Sequence, residues 1–147
     1  MKNIILTFLI SVVAFLAPIQ GSLIAVGGFI FADLLVARYR CYRKGVKWTS
    51  RKMFSGFVIK TIVYQSSVIL FFVLDYAIIN EFIKAIFPFD YLLTKLLALM
   101  LIHIELKSID ESIEILTGKG IFVRFFDMLQ TAKNVKNKIK EVNDDKQ

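Results

Sequence analysis

The chain has 147 residues, of which 56% are hydrophobic and 14 are phenylalanine, and its mean hydropathy is +0.63. A single soluble domain of this length has too little interior to bury so much apolar surface, so the composition indicates a membrane protein. The formal net charge is +7. The positive charge is concentrated in one loop and in the C-terminal third, which favours an anionic lipid leaflet over nucleic acid as the partner.

Two apolar segments, 4–19 and 22–37, open the chain, and the sequence PIQGS separates them. Because a membrane helix needs roughly 20 mainly apolar residues, we predict two short spans joined by an outer turn at Gln20–Gly21. The first segment also has the lysine and apolar core of a signal peptide. Its cleavage would leave three spans and an outer N-terminus.

A basic loop, RYRCYRKGVKWTSRK, follows the second span and contains seven basic residues and no acidic one. Lys and Arg in short loops beside spans stay in the cytoplasm, so this loop orients the chain. It contains the cysteine Cys41, which has no second cysteine to form an internal disulfide. The predicted membrane-surface residues of this loop are Arg38, Arg40, Arg43, Lys44, Lys47, Arg51 and Lys52.

The next apolar segments, 57–79 and 91–106, predict a third and a fourth span with an outer turn at 80–90 between them. The outer turn has no excess of basic residues, as the orientation requires. Four spans with a cytoplasmic second loop place both termini in the cytoplasm.

Besides His103, five aspartate, glutamate and lysine residues lie inside these spans, where charges are costly and usually face protein or water. They are Asp33, Lys60, Asp75, Lys95 and Glu105. At 1.5 Å per residue, two pairs have matching depths on antiparallel helices: Asp75 with Lys95, and Lys60 with Glu105. Lys60 is also within reach of Asp33. Two interpretations are open: structural ion pairs that fix helix register, or polar groups that line a path or pore.

After the fourth span the pattern becomes that of a basic amphipathic helix, with apolar residues at three- and four-residue steps between 121 and 142. Such a helix lies on a cytoplasmic leaflet or pairs with another helix. Its predicted surface residues include Lys133, Lys136 and Lys140. We therefore divide the chain into a transmembrane domain, 1–117, and a cytoplasmic helix and tail, 118–147.

Motifs of catalysis are missing from the sequence. It has no P-loop, no HExxH, no GxSxG and no Cys/His cluster, and the single histidine, His103, has no second histidine to form a relay. We therefore predict that the protein is not an enzyme and that it has no catalytic site, no metal site and no cofactor.

From about residue 23 to 125, several features in order resemble the phage holin/toxin-secretion holin family of small bacterial membrane proteins. The features are Asp33 in FADLLVARYR, the Thr-Ser-Arg-Lys step with Ser50, Gly56 and Lys60 in GFVIK, Asp75 late in the third span, and Glu105, Ser108 and Glu111 in HIELKSIDESIEIL. The sequence departs from the family pattern at His103–Ile104 and at Ser112, where the family often has Asn.

The resemblance implies a protein that accumulates in the bacterial inner membrane, forms homo-oligomers and opens lesions at a set time. The lesions would release a lytic peptidoglycan hydrolase or a toxin. An alternative is a non-lytic scaffold or accessory subunit of a larger membrane or secretion complex. A third is a small transporter or channel, for which the chain shows no inverted repeat.

Overall fold

Every regular element in the described part of the chain is a helix, which confirms the all-α class that the predicted spans and the amphipathic helix imply. The structure is a computed structural model, and it describes residues 2–46, 50–84 and 88–144. The elements there are α1 (Lys2–Leu16), a 3-10 turn (Ala17–Ile19), α2 (Gln20–Arg43), α3 (Ser50–Leu74), a π-helical turn (Asp75–Ile79), α4 (Asn80–Lys84), α5 (Leu92–Thr117) and α6 (Ile121–Asp144).

Helices α1 and α2 lie end to end, so the outer turn predicted at Gln20–Gly21 is wrong. Pro18 breaks the α-helical hydrogen-bond pattern by lacking an N–H, but the 3-10 turn around it lasts only three residues and α2 resumes at Gln20. Contacts with α3 keep the same antiparallel order on both sides of this turn. They join Phe15 to Phe72, Leu23 to Gln65, and Asp33 to Lys60.

Two helical stretches of the described chain are long and apolar enough to cross a membrane: Asn3–Arg43, with 41 residues, and Met53–Lys84, with 32. The first contains both of the first two predicted spans, and the second contains the third. The fourth predicted span forms the first part of α5. Helix α5 is long enough to cross a membrane, but it carries too many charged residues to be counted with these two stretches. Its first part contains Lys95, Glu105 and Lys107.

Helices α2, α3 and α5 pack together, with α2 and α5 parallel and α3 antiparallel to both. The apolar core comes from all of these helices and from the 3-10 turn: Ile19, Val26, Ile30, Val68, Phe72, Ala98 and Leu101. Phe72 is fully buried, and the rings of Phe15 and Tyr91 each pack 5.1 Å from its ring. This aromatic cluster holds the end of α1 and the beginning of α5 against α3.

Gly27 allows a polar side chain to reach the backbone of α2. The amide nitrogen of Gln65 on α3 donates to the carbonyl oxygen of Leu23 at 3.0 Å. A Cβ atom at position 27 would lie 3.1 Å from that nitrogen, whereas a Cβ at Gly28 would meet nothing within 4 Å. The absent side chain of Gly27 therefore leaves room for the Gln65 amide beside α2.

We expect Gly27→Ala to lower the thermal midpoint of the detergent-purified protein relative to Gly28→Ala. Both substitutions gain the same helix propensity, roughly 1 kcal/mol. Only the first displaces the Gln65 amide from its acceptor, and a buried unsatisfied polar group costs about 1–3 kcal/mol. Circular dichroism during heating measures the difference, and equal midpoints for the two variants would show that Gln65 is not packed against Gly27.

Candidate functional site

Lys60 lies between two carboxylates from two other helices. Its ammonium nitrogen is 3.1 Å from Asp33 Oδ2 on α2 and 3.0 Å from Glu105 Oε2 on α5. We call Asp33, Lys60 and Glu105 the charged triad. The pairing of Lys60 with Glu105 and its reach to Asp33, both predicted from depth along the spans, are confirmed.

Serine side chains extend the triad along the face that α5 turns toward α2. Ser108, one turn after Glu105, donates its hydroxyl to Asp33 Oδ1 at 2.7 Å. One further turn along, Ser112 is buried and accepts a hydrogen bond of 3.2 Å from the Arg40 guanidinium. Because the spacing of three and four residues keeps Glu105, Ser108 and Ser112 on one face, α2 and α5 meet along a polar stripe.

The triad carries a formal charge of −1, from two carboxylates and one ammonium. The Glu105 side chain is 0% exposed, that of Asp33 is 15% exposed and that of Lys60 is 38% exposed. Glu105 Oε1 has no hydrogen-bond partner among the described residues. Removal of charges from water is expensive even for a pair, and loss of one partner leaves an uncompensated buried charge. Lys60 contacts both acids at once and so holds their carboxylates together.

A cavity of about 140 Å³ lies beside Lys60 between α2 and α3. Its lining includes Asp33, Lys60, Gly56 and Met53. A Cβ atom at Gly56 would meet nothing within 4 Å, so this glycine leaves the cavity wall open. The volume is enough for a few water molecules, and the charged groups supply the polar partners that such waters need.

Asp75 occupies the other end of the bundle, in the π-helical turn, where it caps α5. The backbone N–H and the hydroxyl of Thr94 both donate to Asp75 Oδ2 at 2.6 Å. These N–H groups at a helix start have no partner within their own helix, and a carboxylate there also meets the positive end of the helix dipole. Asp75 Oδ1 is buried and has no partner in the described chain.

The predicted pair of Asp75 with Lys95 is wrong. Lys95 is exposed, while its neighbour Thr94 is fully buried and faces Asp75. Consecutive residues of an α-helix point in directions about 100° apart. Depth along the spans therefore predicted the height of Lys95 correctly, but the Lys95 side chain points to a different side of α5 from Thr94 and does not face Asp75.

The basic residues predicted for the membrane surface are mostly exposed where the structure describes them. Arg38, Arg43, Lys44, Arg51 and Lys133 are exposed. Arg40 is the exception, since it is half-buried and binds Ser112. Lys47 lies outside the described residues, and so do the side chains of Ser50, Lys52, Lys136 and Lys140.

The residues named for the family motif have separate places in the structure. Gly56 lines the cavity, Ser108 binds Asp33, and Glu111 is exposed. Sequence reasoning missed Thr94 and Gln65, both of which make polar contacts inside the bundle. Gln65 is an isolated amide side chain in the apolar sequence of α3, and this isolation could have indicated a polar contact inside the bundle. Thr94 lies in the first turn of α5, where backbone N–H groups need acceptors, and this position could have indicated a capping contact.

Comparison of the chain with protein-family models, with curated proteins and with solved structures finds no match to any of them. The resemblance to holins therefore stays a prediction from the sequence.

The net charge of the triad predicts how strongly each substitution destabilises the bundle. Lys60→Met removes the shared cation from the buried Glu105 and the part-buried Asp33, whereas Glu105→Gln leaves a balanced pair of Asp33 and Lys60. We expect Lys60→Met to destabilise by about 3–5 kcal/mol and to lower the thermal midpoint by about 10 °C. Glu105→Gln should lower it far less.

The combination of Lys60→Met with Asp33→Asn and Glu105→Gln restores neutrality and should recover part of the lost stability. Thermal unfolding of the detergent-purified variants, followed by circular dichroism, provides the measurement. If the stability loss of the triple variant equals the sum of the losses of the three single variants, the three residues do not share a site.

A second prediction separates the two candidate partners of Asp75. Thr94→Val removes a hydrogen bond to a buried carboxylate, and such a bond contributes about 1.5–3 kcal/mol. Lys95→Met, at the adjacent exposed position, is the matched control and should leave the thermal midpoint nearly unchanged. A larger drop in the thermal midpoint for Lys95→Met than for Thr94→Val would instead support an ion pair between Asp75 and Lys95.

Proposed function

We propose that this chain is an integral protein of the bacterial inner membrane that assembles with copies of itself and permeabilises that membrane, as a holin does. The observation that carries the proposal is the set of polar contacts inside the bundle. Arg40 with Ser112, the charged triad, Gln65 and Asp75 place polar groups at four levels of an otherwise apolar interior. From Lys60 to Asp75 the levels span about 22 Å along α3.

The surface of the bundle supports a membrane location. Large apolar side chains are exposed on α1, α2, α3 and α5, including Phe8, Phe31, Ile62 and Leu99. A soluble monomer rarely exposes apolar patches of this extent. In a bilayer the apolar side chains on α2, α3 and α5 face lipid, and α5 crosses beside α2 and α3 because its acid Glu105 is covered by Lys60.

The continuous helical stretch changes the proposed orientation of the N-terminus. The basic loop after α2 stays cytoplasmic, so α3 leads outward, α5 returns inward, and the C-terminus is cytoplasmic. Without a reversal at Pro18, the N-terminus lies outside, in contrast to the sequence expectation of two cytoplasmic termini. The stretch is about 60 Å long, roughly twice the hydrocarbon thickness. Cleavage of α1 as a signal peptide would leave the same orientation for α2, α3 and α5.

Polar groups at several depths would allow the bundle to open and expose them to water. Intramembrane charges are expensive, and apolar packing of similar volume is often as stable or more stable. Because a closed bundle could use apolar side chains in place of the whole charged triad, the presence of these charges makes them candidates for function. In an assembly of several copies, the polar faces of α2 and α5 would separate and line water. The opening would pass a peptidoglycan hydrolase or an exported toxin.

A specific observation favours the alternative of a non-lytic scaffold. Asp33, Lys60 and Glu105 are paired with one another inside a single chain, so these charges do not require a second copy to avoid lipid. A scaffold subunit would keep this closed arrangement permanently. The two functions differ in whether the bundle ever opens to water.

The experiment is induced expression in bacteria, with membrane fractionation, a potential-sensitive dye and the release of a cytosolic enzyme recorded together. We expect the potential to collapse after the protein accumulates, followed by enzyme release. Asp33→Leu should change the timing or extent of the collapse, and Lys95→Met, on the exposed face, should not. Accumulation in the membrane with potential and growth intact would overturn the permeabilising function and leave the scaffold.

A further inference from the structure

The two basic elements of the chain lie at the same end of the bundle. The contact of Arg40 with Ser112 places the end of α2 beside the second half of α5. The basic segment 38–52 begins in the last turns of α2 and ends in the first turn of α3, and α6 begins shortly after α5. From Ser112 to the end of α5 at Thr117 is a rise of about 8 Å, so α6 starts close to the level of the basic loop.

The corner between α5 and α6 is built to fix the direction in which α6 leaves the bundle. Gly118 ends α5 in the left-handed conformation, with φ of 75°, and its N–H donates to the Glu114 carbonyl at 2.8 Å. The Ile121 N–H donates to the Asp110 carboxylate. A Cβ atom at Gly120 would lie 2.8 Å from both oxygens of that carboxylate. Asp110 thus caps α6 from the neighbouring helix, and its carboxylate occupies the space that the absent side chain of Gly120 leaves open.

Beyond this corner the described side chains of α6 are exposed. Its apolar side chains Phe122, Phe125, Phe126 and Leu129 are between 51% and 67% exposed. Spacing of three and four residues places Phe122, Phe125 and Leu129 on one face. A water-soluble helix does not keep such a face uncovered, so the face is open to an occupant beyond the described residues.

Charge identifies the class of that occupant. The basic loop and α6 together contribute twelve basic residues in 38–52 and 121–144, against three acidic ones. Asp127, the acid nearest the start of α6, is paired with Lys119 at 2.7 Å. A surface with an apolar stripe flanked by lysines at the level of a membrane interface complements anionic phospholipid headgroups above acyl chains.

From these observations we infer that α6 docks in the plane of the cytoplasmic leaflet on anionic phospholipid, with Asp110 setting its angle to the bundle. The inference rests on the proposed membrane location and names the lipid class that the cytoplasmic end of the protein recognises. It does not depend on whether the protein opens lesions, because docking is a property of the closed bundle.

The test uses the full chain in lipid nanodiscs. The single tryptophan, Trp48, is replaced by phenylalanine, and a new one is introduced as Leu129→Trp or as Thr131→Trp. These positions are two residues apart and point in directions about 200° apart. Nanodiscs of phosphatidylcholine alone are compared with nanodiscs that contain phosphatidylglycerol, with brominated acyl chains as quenchers. Circular dichroism verifies that each variant is folded.

In anionic nanodiscs we expect strong quenching of Leu129→Trp and weak quenching of Thr131→Trp, with the difference lost in phosphatidylcholine alone. Lys133→Gln and Lys140→Gln should each reduce the ratio of docked to free α6 by about fivefold. Asn137→Gln is the neutral control.

Equal quenching in both lipid compositions would overturn the role of anionic lipid. Absence of quenching in both, together with a contact between copies that depends on α6, would assign the apolar face to a second copy instead. Either outcome leaves the proposed permeabilising function standing, since membrane potential during expression tests that separately.

Discussion

The position of Lys60 between Asp33 and Glu105 is the constraint on which the rest of the structure depends. The contact requires α2, α3 and α5 at once, since each helix supplies one member. It fixes how far each helix slides past the others, because a shift of one residue on any helix separates the ammonium from a carboxylate. The serines on α5, the Arg40 contact and the cap at Asp75 all follow from that register.

The polar contacts do not form a continuous path in this structure. Between the level of Gln65 and that of Asp75, α3 places Val68 and Phe72, both 0% exposed, against apolar side chains of its neighbours. The interior therefore has a charged layer near the basic loop, an apolar layer, and a second polar layer at the start of α5. This is a closed bundle, and permeability in the proposed function requires α2 and α5 to separate in an assembly.

Sequence reasoning predicted the helical class and the partners of Lys60, because apolar segment length and depth along a span are both readable from the sequence. It failed where the answer depended on the direction of a side chain around the helix axis. Asp75 and Lys95 have matching depth, but Thr94 is the residue that faces Asp75. It also failed at Pro18, since a proline near the start of a new helix is tolerated and a local 3-10 turn absorbs the missing N–H. The contact of Gln65 with the α2 backbone depends on which of two adjacent glycines faces α3.

The central claim is that a single chain folds around the charged triad within the membrane, and the α2–α5 contact tests it most directly. Asp33→Cys and Ser108→Cys, combined with Cys41→Ser, place two thiols where the Asp33 and Ser108 side chains are 2.7 Å apart. A short bifunctional thiol reagent is applied to native membranes, and the product is identified by mass and by proteolysis between the two sites. The account predicts a rapid link within one chain, and a much slower link when the exposed Leu35 is used in place of Asp33. Links that form only between two chains, or at equal rates from positions 33 and 35, would contradict it.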